Sequence, residues 1–148
     1  MVWKSAYEPI EASDATLHGT IAATACAMGD HVALIDGPSG TTISYAELAA
    51  RIDRAAVGLA ARGVRPDDEL ALWAPNSPDW VIAALGAMAA GATVTGVSPV
   101  AVERELAGQL MDSEASVLVA APELMAVARD VAAAAGVRET VALGDLEA

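Results

Sequence analysis

The stretch Leu72–Val100, "LWAPNSPDWVIAALGAMAAGATVTGVSPV", decides how the rest of the chain is read. Its one charged residue is Asp79, and the next is Glu103. Trp80–Val102 gives 23 consecutive uncharged residues, long enough for a membrane helix. The interior argues otherwise. Gly86, Gly91 and Gly96 interrupt the run, and Pro99 ends any helix. Thr93, Val94, Thr95 and Val97 favour a strand. No basic cluster flanks the segment to orient it in a bilayer. Ser77 is placed to cap a helix whose first residue is Pro78, where a missing N–H costs nothing. The stretch therefore reads as strand, turn, helix ending near Ala90, Gly stop and buried strand, in the middle of a sheet layer.

Working outward, "LALWA" before it is an apolar strand, and "RPDDE" (65–69) is a turn. After it come a helix in "SPVAVERELAGQLMDSE", a strand "SVLVA", a helix "PELMAVARDVAAAAG" with Pro122 near its start, and a strand "RETVALG". From Leu70 the order is β-α-β-α-β-α-β. Short apolar strands alternating with three-turn helices predict a parallel sheet covered on both faces.

Upstream, Thr16 caps and Gly29 stops a helix with Leu17, Ile21, Thr24 and Met28 on one face. "HVALIDGPSGTTIS" (31–44) predicts a hairpin turning at Gly37–Gly40. Ser44 and Glu47 have capping-box spacing at the head of a helix that Gly63 ends. Its apolar stripe is Leu48, Ile52, Ala55, Ala56 and Leu59, with Arg51, Asp53, Arg54 and Arg62 pointing elsewhere. Residues 1–15 read as an acidic surface strap. The fold class is thus α/β, an early β-hairpin followed by the parallel sheet, with residues 1–148 as a single unit.

The 148 residues carry a formal charge of −12, and Lys4 is the one lysine beside seven arginines. With no Lys/Arg cluster to track phosphates, no nucleic-acid partner is expected. Cys26, the single cysteine, precludes an intrachain disulfide, fits a reducing cytoplasm, and reads as a small core residue. The N-terminus lacks the pattern of a secretion signal.

The search for chemistry finds little. His18 and His31 are too far apart in sequence to suggest a metal pair, and no Cys pair accompanies them. Asp67-Asp68-Glu69 and Asp112/Glu114 read as solvated turn carboxylates. "GAMAAG" (86–91) lies inside a helix pattern, unlike a dinucleotide-binding glycine loop. "GPSGTTIS" (37–44) resembles a phosphate loop in its hydroxyls, but no lysine or helix N-terminus follows the glycines as that chemistry needs. No self-contained catalytic set, metal site or cofactor site is expected in this chain.

Several pieces, in order, over residues 17 to 120, resemble the start of the AMP-forming acyl-CoA synthetases, the family of 4-coumarate–CoA and fatty-acid–CoA ligases. They are Ser44-Tyr45-x-Glu47-Leu48, Gly63-Val64, Pro75-Asn76-Ser77, Gly91-Ala92, Ser98-Pro99, Glu105-Leu106 and Gln109-x-x-x-Ser113. The resemblance implies part of the large N-terminal domain of the adenylate-forming fold. It also implies, for a longer parent, a carboxylic acid substrate with ATP, magnesium and coenzyme A. The family's phosphate loop, magnesium ligand and catalytic lysine lie beyond the matching region. "SGTT" at 39–42 precedes the Tyr45-x-Glu47-Leu48 helix, and Ile43 stands where the phosphate loop has Gly, so it belongs to the hairpin. Many members have Asn-Pro where this chain has Ser98-Pro99. Tyr45, Glu47, Leu48, Pro75, Asn76, Gly91, Ser98 and Pro99 are accordingly expected to be scaffold residues, and the chain alone to be inactive. The competing expectations are a stand-alone α/β binding module and a piece that self-associates through an exposed sheet edge.

Overall fold

The computed structural model describes residues 6, 7, 11 and 13–147. The expected strap over 1–15 falls largely outside them, as does Lys4. Helix α1 spans Leu17–Met28, strand β1 Val32–Ile35, strand β2 Thr42–Ser44 and helix α2 Tyr45–Ala61. The chain then alternates through β3 (Glu69–Trp73), α3 (Pro78–Ala89), β4 (Thr93–Val97), α4 (Glu103–Asp112), β5 (Val117–Ala120), α5 (Met125–Ala135) and β6 (Glu139–Ala142). Short 3-10 turns at Pro122–Leu124 and Leu143–Asp145 flank α5 and β6.

The helix starts are made as their residues dictate. Thr16, Ser44 and Ser77 each sit in extended backbone, and each side chain accepts an N–H of the first turn. At α4 the carboxylate of Glu105 takes the N–H of Val102 at 3.2 Å. The stops at Gly63, Gly91 and Gly136 have positive φ, which only glycine adopts without strain.

β1 and β2 form a separate antiparallel hairpin with a bulge between Val32 and Leu34. The other four strands are parallel, in the order β4-β3-β5-β6. The chain steps one way from β3 to β4 and the other way from β4 through β5 to β6. The helices change face with direction. α2 and α3 pack with Leu70, Leu72, Val117, Val119 and Val141 on one side. α4 and α5 pack with Ala71, Trp73, Val97, Leu118 and Ala120 on the other. Linking direction to face is what crossovers of a single hand require. The result is a doubly wound sheet whose direction reverses between β3 and β5.

The opening stretch now has a physical account. α3 is buried on nearly all sides, with Ile82 through Ala87 all in the core. It lies between the sheet and α2, so beyond Asp79 in its first turn there is no solvent face to hold a charge. Gly86 is the point of closest approach: a Cβ there would lie 2.7 Å from the Cβ of Ala55 on α2.

Four expectations need correction. β4 is an edge strand, with Thr93 and Gly96 exposed, so burial accounts for the missing charge of α3 but not for that of residues 93–102. Strand periodicity reports which faces are covered and carries no information on order within the sheet. Cys26 is exposed, as are Leu17, Thr24 and Met28, because α1 turns Ile21 and Ala25 toward the core. An alanine-rich helix is apolar all round, so its buried face is set by what it packs on. Ala56 is half-buried, and Gly58 takes its place in the fully buried stripe of α2. Asp68 is a staple and not a solvated turn residue. It accepts the Arg65 N–H at 2.8 Å and pairs with Arg138 at 2.8 Å.

Candidate functional site

Ligands of open α/β sheets sit outside the carboxyl ends of the strands, where the winding reverses. Here those ends are Trp73 and Ala120. The turn after β3 is Ala74-Pro75-Asn76-Ser77, and the N–H of Ala121 after β5 donates to Trp73 O at 3.0 Å. The indole Nε1 of Trp73 donates to Ser98 O at 3.0 Å, joining the turn after β4 to the same end of the sheet. Pro75, Asn76, Ser98 and Pro99 are all exposed there. Four of the eight motif residues thus gather at one end of the sheet, although Ser98 and Asn76 are over twenty residues apart.

A cleft of about 240 Å³ opens between this end and the hairpin, lined by Leu34–Pro38 on one side and Asn76, Ser77, Pro78 and Val81 on the other. A second, of about 210 Å³, adjoins it through Asp36, Ser77 and Pro78 and adds Ser39, Thr41, Arg51 and Asp79. Asp36, Ser39, Arg51 and Asp79 are already partnered. Ser39 Oγ donates to Asp36 Oδ2, and the Ser39 N–H donates to the same oxygen at 3.1 Å. Arg51, expected to point away from the core stripe, is half-buried and donates to Asp79 Oδ1 at 2.8 Å and Glu147 Oε1 at 2.7 Å. Arg54 donates from Nε to Glu147 Oε2 at 3.0 Å. Burial penalises the Glu147 carboxylate, but the hydrogen bonds and charges of Arg51 and Arg54 outweigh it and hold its pKa below the ordinary range. The hydrogen bond to Glu147, opposed by burial and joined by that to Asp79, raises the pKa of Arg51. These bridges tie α2 to the start of α3 and to the segment after β6.

The remaining motif residues lie on α2 and directly after α3. Leu48 is buried on α2, Tyr45 is half-buried and Glu47 is exposed at that helix's first turn. The Ser44 side chain accepts the Glu47 N–H at 3.2 Å. Gly91 has φ 89° and packs on Pro66, which a Cβ would approach to 3.1 Å. Among the described residues, no three His, Cys, Asp or Glu side chains group as ligands for a metal ion. No described helix is long and apolar enough to cross a membrane. The hub formed by Arg51, Asp79, Arg54 and Glu147 was not foreseen. Opposite charges 28 and 96 residues apart leave no local signal.

Comparison with known proteins gives this geometry its context. The AMP-binding enzyme family matches residues 21–147. Feruloyl-CoA synthase of Amycolatopsis is 42% identical over 110 residues, covering 74% of this chain and 22% of that protein. 4-Coumarate–CoA ligase 5 of Oryza sativa subsp. japonica is 35% identical over 97 residues, 66% of this chain and 18% of the rice protein. The chain thus spans about a fifth of the length of these relatives. The crystal structure of a long-chain-fatty-acid–CoA ligase, FadD1 of Archaeoglobus fulgidus, superposes with a TM-score of 0.86 at 24% identity, over 96% of this chain and 30% of that one. The superposition shows that the fold is shared with the Archaeoglobus enzyme, and the family match over residues 21–147 shows that the chain belongs to the AMP-binding enzyme family.

Proposed function

We propose that this chain is the N-terminal scaffold of an ATP-dependent acid–CoA ligase. In that reaction a carboxylate attacks ATP to give an acyl-adenylate and pyrophosphate, and coenzyme A then displaces AMP to leave the thioester. The observation that carries the reading is the family match over residues 21–147, joined to relatives that are themselves CoA ligases or synthases.

In this reading the chain supplies no nucleotide or magnesium site of its own. Stabilising transferred phosphoryl charge takes cations and metal aimed at the phosphates. Arg51, Arg54 and Arg138 are held by carboxylates, Arg62 by the carbonyls of Gly58 and Asp145, and Arg65, Arg104 and Arg129 are exposed and spread over the turn after α2, α4 and α5. The groups that bind ATP, magnesium and coenzyme A therefore belong, in this reading, to the remainder of a longer enzyme. Residues 1–148 act as one unit within its larger adenylation domain, and Tyr45, Glu47, Leu48, Pro75, Asn76, Gly91, Ser98 and Pro99 hold the shape of that unit. A cytoplasmic setting accords with a single cysteine.

The test is acid-dependent ATP–pyrophosphate exchange, run on the 148-residue chain and on the longer gene product with a panel of carboxylic acids. The longer product should exchange and the short chain should not. Turnover above blank by the short chain overturns the scaffold assignment. A longer product that activates no acid and forms no thioester overturns the ligase reading.

A further inference from the structure

Among the described residues no strand pairs with the outer edge of β4, and that edge is an invitation to strand pairing. Thr93-Val94-Thr95-Gly96-Val97 has no charge and no proline, and β-branched residues fill four of its five positions. Such an edge pairs readily with another strand unless something blunts it.

The ladder fixes which groups face outward. Thr93 N–H donates to Asp68 O at 2.9 Å, and Glu69, on the other side of β3, accepts from Ser116 of β5. Alternation along a parallel pair then turns Thr93, Thr95 and Val97 toward β3 and leaves the N–H and C=O of Val94 and Gly96 on the free edge. The side chain of Gln109 occupies one of these positions. From α4, its Nε2 donates to Gly96 O at 2.9 Å and to Thr95 Oγ1 at 3.2 Å. Thr95 shares a face with Val97, which packs in the core beneath α4. Gln109 therefore reaches around from that face to the edge, and Thr95 fixes the orientation of its amide. Two N–H groups go to two acceptors of β4, so the carboxamide stands in the volume that an incoming strand's N–H would enter.

We propose that Gln109 is an edge guard, closing β4 against the addition of a strand from a second copy of this chain. The net charge of −12 adds repulsion between copies, and salt screens it. The inference does not rest on the ligase reading.

The test compares the chain with Gln109→Ala and Gln109→Met by sedimentation velocity over a concentration series in high salt, with hydrogen exchange at the amides of Val94 and Gly96. The Met variant keeps the aliphatic stem and loses the donor, which separates packing from guarding. The parent should remain monomeric. Each folded variant should raise the self-association constant about tenfold or more, with the Val94 and Gly96 amides becoming protected as association proceeds. Variants that stay as monomeric as the parent overturn the proposal, as does association that leaves those amides unprotected. A parent already associated through protected Val94 and Gly96 overturns it too. If both variants unfold, Gln109 holds the fold together and does not guard its edge, and the proposal falls.

Discussion

Replacing Gly86 by alanine should destabilise the chain, although glycine-to-alanine changes inside helices normally stabilise. The added Cβ would lie 2.7 Å from the Cβ of Ala55, with the Ala56 backbone nitrogen at 3.3 Å. Ordinary carbon contacts lie near 3.5–4.0 Å, so the overlap is about 1 Å. Neither methyl can rotate away, because a Cβ is fixed by its backbone. The two helices must part, loosening Ile52, Leu59, Ile82 and Leu85 in the surrounding core. Overpacking of this kind costs about 1–3 kcal/mol, against about 1 kcal/mol of helix propensity recovered. The net expectation is a loss of about 0–2 kcal/mol, where an exposed glycine would yield a gain of about 1. Ala55→Gly removes the opposing methyl. In that background Gly86→Ala should become more favourable by about 0.5–3 kcal/mol, the range of coupling between contacting residues. Urea unfolding of the parent, both single variants and the double variant measures the cycle, with the m-value checking that the unfolding transition is unchanged. If Gly86→Ala stabilises by about 1 kcal/mol and the cycle is additive within about 0.5 kcal/mol, the close α2–α3 crossing is wrong.

Other substitutions discriminate between glycines that need their freedom and those that do not. At Gly58 a Cβ would lie 1.9 Å from the Leu146 carbonyl, so Gly58→Ala should cost about 2 kcal/mol and expose residues 143–147 to protease, read by thermal melts and limited digestion. Gly91→Ala should cost about 1–2 kcal/mol for its left-handed backbone at φ 89°, seen as a lower urea midpoint. Gly108, in α4 with nothing within 4 Å of a Cβ, should instead gain up to about 1 kcal/mol as alanine. In acid, Glu147 and Asp68 have pKa values depressed below 4.5 and 3.8, so their pairs contribute fully above those values and lose that contribution as pH falls through the folded-state pKa. Melting temperature should fall in that window, and Glu147→Gln should flatten part of the fall; an unchanged pH profile would refute the assignment.

Local physics in the sequence was enough to determine the elements. Ser77-Pro78 starts a helix, Gly29, Gly63 and Gly91 end helices at positive φ, and alternating apolar strands and helices dictate a parallel sheet, because capping, glycine freedom and crossover geometry act within a few residues or one βαβ unit. The gathering of Asn76 and Ser98 at one sheet end follows from that same topology. Only the tertiary structure decided that β4 is an edge and not a central strand, that α1 turns Ala25 inward and leaves Cys26 in solvent, and that Arg51 meets Asp79 and Glu147. Strand order, the orientation of an all-apolar helix and a distant ion pair are set by which surfaces meet after the chain has wound back on itself, and periodicity along one segment holds no record of the partner it will find.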